Sequence, residues 1–220
     1  MADVTSFMRS LCMGEVDPSL VSPFPKIDAG EKETLETVLS SLRQLMASHQ
    51  EDFVTWDREG NFSPEFIEEL KEFGLFSLVI PEDAGGLGLG NAAYSRTLQE
   101  LARFDAATAV TVGAHSSIGM RGLLLFGTEV QKNAYLEKLA TGEMIAAFCL
   151  TESGSGSDAA SLKTKAERDG NDWVLNGEKI WITDGEIADF FTVFAKTNAP
   201  GKKRAISAFI VTRDMLGVSH

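Results

Sequence analysis

The stretch Phe148-Cys149-Leu150-Thr151-Glu152-Ser153-Gly154-Ser155-Gly156-Ser157-Asp158 leaves a short apolar run and enters a glycine-serine loop. It stands just past a change of texture near residue 143. Upstream, apolar residues recur at helical spacing; downstream, they alternate at the period of a strand. Loops of this composition let backbone N–H groups and hydroxyls converge on phosphate or ring carbonyl oxygens. This one is not a P-loop, because the lysine-serine ending is missing and no helix pattern follows it. Taken alone it also suits a plain surface turn, which uses the same residues.

Working upstream, Leu35, Val38, Leu39, Leu42, Leu45 and Met46 fall on one face of a helix that begins near Glu31. Ser63-Pro64 opens a second helix, with proline where its missing N–H costs little. Phe66, Ile67, Leu70 and Phe73 form its apolar stripe, and Gly74 is positioned to end it. The segment Pro81 to Gly88 is dense in glycine and predicts a loop. A third helix is predicted over Asn91 to Phe104. The small residues of Ala106 to Leu125 suit a helix buried among others. Thr128 with Gln131 predicts a capping box for a last helix ending near Ala140.

Working downstream, Leu162, Thr164 and Ala166 alternate with Lys163, Lys165 and Glu167, as in a half-exposed strand. Asp169-Gly170 reads as a turn and Trp173 to Leu175 as a strand. Asn176-Gly177 carries the strongest short hairpin signal. Further strands are predicted at Ile180 to Thr183, Phe190 to Lys196 and Ala205 to Thr212. The fold class is therefore α+β: a helical bundle followed by an antiparallel β-barrel or sandwich. The boundaries are an N-terminal extension over 1–30, a helical domain over 31–143, and a partial β domain over 144–220.

The chain has 220 residues, about one and a half domains at roughly 150 residues each. Its net charge is −12, carried by residues 1–143 with 11 basic and 22 acidic side chains against 9 and 10 in the remainder. Such acidity argues against a nucleic-acid binder and against a polybasic membrane patch. The near-neutral second part accommodates an anionic ligand. Cys12 and Cys149 stand far apart and fit no metal-ligand spacing, so no metal is expected and reduced thiols in a cytosol-like compartment are. The first fifteen residues hold one arginine, two acids and no long apolar core. No secretory or transit segment is expected from them, and no stretch approaches the roughly 20 apolar residues of a membrane span.

Trp181-Ile182-Thr183-Asp184-Gly185 lies one predicted hairpin beyond the glycine-serine loop. By itself Trp181 suits core packing. Together the two motifs offer donors and an aromatic wall, which is what a flavin requires: donors for N1, O2 and O4, and a flat apolar face. His115, in Gly113-Ala114-His115-Ser116-Ser117, lacks a partnering acid and reads as a core histidine. Cys149 reads as a buried, inert thiol, Glu152 as a local hydrogen-bonding group, and the acids from Glu51 to Glu72 as a solvated helical face.

On these residues the sequence resembles the acyl-CoA dehydrogenases. The run from Cys149 to Asp158 is similar to the family signature, and Trp181 to Gly185 to its second flavin segment. The resemblance extends through Pro81 to Gly88, Gly127-Thr128, Leu139 to Glu143, Asn176-Gly177 and Phe191 to Lys196. Phe148 to Glu152, Asp158 to Ser161, Phe191 to Lys196 and the stretch Ser6-Phe7 to Pro25 resemble the very-long-chain branch most.

The resemblance implies an FAD enzyme that desaturates an acyl-CoA thioester between its α and β carbons, with long or very long chains preferred. It places Phe148, Leu150, Thr151, Gly156 and Ser157 on the flavin, with Trp181, Ile182 and Thr183 completing the site. Ser157 is also placed on the CoA portion of the substrate. It further implies electron-transfer flavoprotein as electron acceptor, a homo-oligomer, and a cytoplasmic protein, or a mitochondrial matrix one in a eukaryote. In the family the catalytic glutamate belongs to a C-terminal helical domain; none of this sequence matches it, and no residue is assigned that role. Two departures stand out: Ser153 where proline is common, and Asp184 where asparagine follows the Trp-Ile-Thr run. Two alternatives stay open, a non-catalytic flavin- or CoA-binding module and an acyl-CoA oxidase-like relative.

Overall fold

The computed structural model describes residues 7–23, 26–27, 29–197 and 205–219. Residues 1–6 and Phe24-Pro25, which carry part of the N-terminal readings, lie outside the described residues. So does His220.

Eight helices precede the sheet among the described residues: α1 (Phe7–Cys12), α2 (Ala29–Ser48), α3 (Asp52–Glu59), α4 (Pro64–Phe73), α5 (Asn91–Phe104), α6 (Ala106–Gly113), α7 (Arg121–Phe126) and α8 (Glu129–Thr141). The local signals act as read. Ser63 Oγ accepts the Phe66 N–H at 3.1 Å, with Pro64 opening α4. Thr128 and Gln131 form a reciprocal capping box on α8. Helix α2 buries Leu35, Leu39, Leu42 and Met46 against Phe66 and Leu70 of α4 and Leu101 of α5. The Glu100 carboxylate of α5 is buried beneath three guanidinium groups, at 2.9 Å from Arg43, 3.0 Å from Arg96 and 3.0 Å from Arg103. It thereby ties α2 to α5, and the Arg43 hydrogen bond, ahead of the other contacts, holds its carboxyl below the usual range.

The small-residue segment is not one helix buried all round. After α6 the chain widens into a π-helical turn, Ala114–Gly119, before α7. Val112, His115, Ser116, Gly119 and Met120 are buried, while Val110, Ile118 and Leu125 face outward. Small size permits close approach on every side, but only one side meets the sheet.

Five strands follow: β1 (Ala146–Cys149), β2 (Lys165–Asp169), β3 (Asp172–Asn176), β4 (Phe190–Thr197) and β5 (Ala205–Thr212). Strand β4 is the hub. One of its edges pairs antiparallel with β5 along its whole length. Its other edge takes β1 over Phe190 to Val193 and β2 over Lys196 and Thr197, both parallel. The α+β class stands, but the expected antiparallel sense is corrected: two of the four pairings are parallel. Hairpin signals register only neighbours in sequence, and the segment 177–189 carries the chain back across the sheet before β4 starts.

Two further readings are corrected. Asp169-Gly170 makes the β2–β3 hairpin, with Asp169 opposite Asp172. Asn176-Gly177 makes none: β3 ends there, and a Cβ on Gly177 would lie 2.3 Å from Thr164 Oγ1. Glycine serves a close approach at that point, not a tight turn. Ile180 to Thr183 is no strand either, because left-handed Trp181 and Asp184, at φ 57° and 61°, interrupt extension.

The helices and the sheet share one core. Ile80, Met120, Leu123 and Leu139 pack on Ala146 and Phe190, and Thr192 Oγ1 donates to the Gly119 carbonyl at 2.6 Å. His115 is the core histidine expected: its Nδ1 accepts the Ala146 N–H at 3.0 Å. Burial pushes its pKa down to about 4, so the ring is neutral.

Candidate flavin site

Because β1 and β2 lie end to end along one edge of β4, the chain between them must leave the sheet and return. That excursion is the glycine-serine loop. Reciprocal backbone hydrogen bonds between Glu152 and Ser155, both 3.0 Å, close a tight turn over Ser153-Gly154. Ser155 Oγ donates to the Asp158 carbonyl at 2.8 Å, and the Ser161 hydroxyl donates to the Asp158 carboxylate. Gly156 and Ser157 are exposed, and a Cβ on Gly156 would meet nothing within 4 Å. Among the described residues, their N–H groups have no acceptor.

The second segment is brought alongside. The Ile180 N–H donates to the Thr151 carbonyl at 3.0 Å, which sets Trp181, Ile182 and Thr183 directly beyond Thr151. Trp181 does not pack in the core: it is 88% exposed and left-handed, a costly conformation for an aromatic residue on an exposed loop. Ile182 packs beneath it on Ala147, Cys149, Ala188 and Phe191, while Thr183 is exposed. Phe148 points to the opposite face of β1 from Cys149 and meets the Phe194 ring at a tilt, centroids 4.9 Å apart. Leu150 and Thr151 are half-buried between the two. A cleft of about 700 Å³ bounded by Cys149, Lys179, Trp181, Ile182, Phe191 and Val193 runs under the second segment.

Glu152 is the local hydrogen-bonding group expected. Its carboxylate accepts from Lys163 N at 2.5 Å, Thr164 N at 2.9 Å, Thr164 Oγ1 at 2.5 Å and Lys179 Nζ at 2.8 Å. Burial alone would raise its pKa, and the bonds from Lys179, Thr164 and Lys163 reverse that, to about 2. Cys149 is likewise inert, pushed up to about 11 by burial against a weaker pull from Lys179. Lys179 belongs to no motif of the sequence, and Thr164 reads there only as a strand residue. A buried glutamate requires partners, and a lysine two residues before Trp181 was the available cation.

Where asparagine was the expected residue, Asp184 keeps the left-handed backbone that both residue types tolerate. Its carbonyl accepts from Ala188 N at 2.7 Å, and its buried Oδ2 has no hydrogen-bond partner. Burial raises its pKa from 3.8 to about 7, against the pull of the Thr111 side chain on α6. The negative charge that aspartate would add in place of asparagine is therefore only partly present at neutral pH. A raised folded-state pKa stabilises below the unfolded value, and that contribution is lost as pH climbs through about 7. The full separation corresponds to about 4 kcal/mol, and local relaxation with water reaching the partly buried side chain leaves roughly 1–2. Asp184→Asn is thus expected to raise stability at pH 8 by that amount and to change it little at pH 4. Urea titrations at both pH values check this, and an equal effect at the two would contradict it.

The family model for the acyl-CoA dehydrogenase N-terminal domain matches residues 32–143, and that for the middle domain matches residues 147–220. The chain belongs to the acyl-CoA dehydrogenase family. It is 42% identical over 231 residues to the very long-chain specific acyl-CoA dehydrogenase, mitochondrial, of Homo sapiens, and over 232 residues to that of Macaca fascicularis. Each match takes in 100% of this chain and 34% of the relative, so the chain spans about a third of these relatives' length. An acyl-CoA dehydrogenase of Bacillus anthracis, solved in complex with FAD, superposes with a TM-score of 0.73 at 37% identity, covering 88% of this chain and 32% of that one. A chain from the structure of the electron transferring flavoprotein of Acidaminococcus fermentans does so at 0.78 and 32% identity, covering 87% and 50%.

The acyl-CoA dehydrogenases thus supply a group to test against these residues. Free N–H groups at Gly156 and Ser157, open space over Gly156, and an exposed left-handed indole on the segment bonded to Thr151 fit a flat, anion-bearing flavin.

Proposed function

We propose that this chain carries the flavin-contacting part of an FAD-dependent acyl-CoA dehydrogenase acting on long or very long acyl chains. The observation that carries this reading is the Thr151–Ile180 hydrogen bond, which sets the two flavin-type segments side by side in a chain of this family. FAD would be held by Phe148, Leu150, Thr151, Gly156 and Ser157 from the first segment and by Trp181, Ile182 and Thr183 from the second. Ser157 would also meet the CoA moiety. When bound, FAD supplies the acceptor for a hydride from the substrate β carbon. Gly156 and Ser157 donate N–H groups, and Trp181 shields one face from water. The chain preference rests on the very-long-chain relatives. Electron-transfer flavoprotein as acceptor, a homo-oligomer and a matrix location in a eukaryote belong to the same reading.

Adding the chain to FAD is expected to quench flavin fluorescence to a one-to-one end point. Palmitoyl-CoA is then expected to perturb the bound-flavin spectrum at lower concentration than butyryl-CoA. Absence of FAD uptake overturns the site; equal responses to the two thioesters overturn the chain preference.

A second reading, binding without turnover by the isolated chain, is favoured by Glu152. A carboxylate with a pKa of about 2 and four hydrogen bonds is a poor acceptor for an α proton. Turnover by these 220 residues alone would exclude it.

A further inference from the structure

The buried ion pair between Glu152 and Lys179 joins two segments 27 residues apart in sequence. Both side chains are nine-tenths or more buried, at 6% and 10% exposure. Lys179 reaches from the chain leading to Trp181, donating at 2.8 Å to Glu152 Oε1 and at 3.1 Å to the Leu150 carbonyl. Glu152 reaches from the glycine-serine loop to Lys163 N, Thr164 N and the Thr164 hydroxyl at the head of β2. One carboxylate therefore fastens the outgoing end of the loop, its returning end and the second segment together. A burial this complete is costly unless every charge is matched, and here every contact is a charge-assisted hydrogen bond.

We propose that Glu152 and Lys179 are positioning residues that hold the two FAD-contacting segments in register, so that the loop donors and the Trp181 face meet one ligand. This rests on the flavin reading above, since the pair would touch neither substrate nor cofactor. Each segment is irregular, and side-chain bonds of this kind help to fix it in place. Preorganised donors bind more tightly than donors that must be ordered on binding.

The test uses the 220-residue chain in two measurements. In the first, without FAD, amide hydrogen exchange is followed in Glu152→Gln and Lys179→Met. Either single variant is expected to speed exchange tenfold or more in both 150–164 and 179–185, although each change lies in only one of them. In the second, both variants are expected to weaken FAD binding at least tenfold, with the double variant Glu152→Gln/Lys179→Gln recovering most of it through a neutral hydrogen bond. Should a single variant fail to fold, Thr164→Val, which removes only the hydroxyl bond to Glu152, is expected to weaken FAD binding about threefold. Exchange confined to the mutated segment, or unchanged FAD affinity in the variants, overturns the clasp. Failure of the unmodified chain to bind FAD, with coupled exchange intact, overturns instead the flavin reading.

Discussion

Phe66→Ala is expected to destabilise the helical region by roughly 3–5 kcal/mol, the range for removing a fully buried phenyl ring. Phe66 is 0% exposed. Ring centroids of Trp56, His49, Phe62 and Phe53 surround it at 4.7, 5.0, 5.6 and 5.7 Å. These rings come from α3, α4 and the turns beside them, so one truncation opens a cavity shared by several elements. His49 closes the cluster on the solvent side, with Nδ1 at 3.0 Å from Asp52 and Nε2 at 2.8 Å from Glu69. Burial lowers its pKa, but the hydrogen bonds to the two carboxylates outweigh that and raise it. The same pairing limits how far the rim can collapse into a cavity, which places the cost toward the upper end. Urea denaturation followed by far-ultraviolet circular dichroism checks this. A loss below about 1 kcal/mol would mean the cluster repacks and Phe66 is not its hub.

Gly119→Ala is expected to cost about 3 kcal/mol and to weaken FAD binding. The added Cβ would stand 2.7 Å from the Ala146 carbonyl oxygen and 2.8 Å from its carbon. Both are backbone atoms, so no side chain can swing aside, and overpacking must displace β1 from the π-helical turn. That movement strains the Thr192 bond to the Gly119 carbonyl and the His115 bond to the Ala146 N–H. Because β1 runs directly into Leu150 and Thr151, its displacement reaches the candidate flavin loop. Gly122→Ala is the control: its Cβ would meet only Thr192 Cγ2, at 3.9 Å. The control is expected within about 0.5 kcal/mol of the unmodified chain. Equal effects from the two substitutions would show that helix propensity, not the junction with β1, sets the response.

The parts of the fold legible in the sequence are those stabilised within a few residues. Ser63 and Pro64 start α4, and Thr128 with Gln131 starts α8, through bonds spanning three residues. The alternation of Leu162, Thr164 and Ala166 correctly separates inward from outward side chains, although β2 is paired only from Lys165. The glycine-serine loop and the Trp-Ile-Thr run are legible as motifs, but the β2–β3 hairpin between them does not by itself bring them together. They meet instead because Lys179, Glu152 and the Thr151 carbonyl join them across the fold.

Local side-chain chemistry, then, determined from sequence alone where α4 and α8 begin, which face of the β2 segment is apolar, and which residue types stand ready for a flavin. Only the tertiary structure decided strand sense, the left-handed backbone at Trp181 and Asp184, and the ionisation of Glu152 and Asp184. The physical reason is range. Caps and alternation are satisfied by neighbours in the chain, whereas parallel pairing, desolvation and buried ion pairs depend on groups tens of residues away. Gly177 shows the difference in one residue: Asn-Gly reads locally as a turn, but Thr164 packed against it makes it a point of contact.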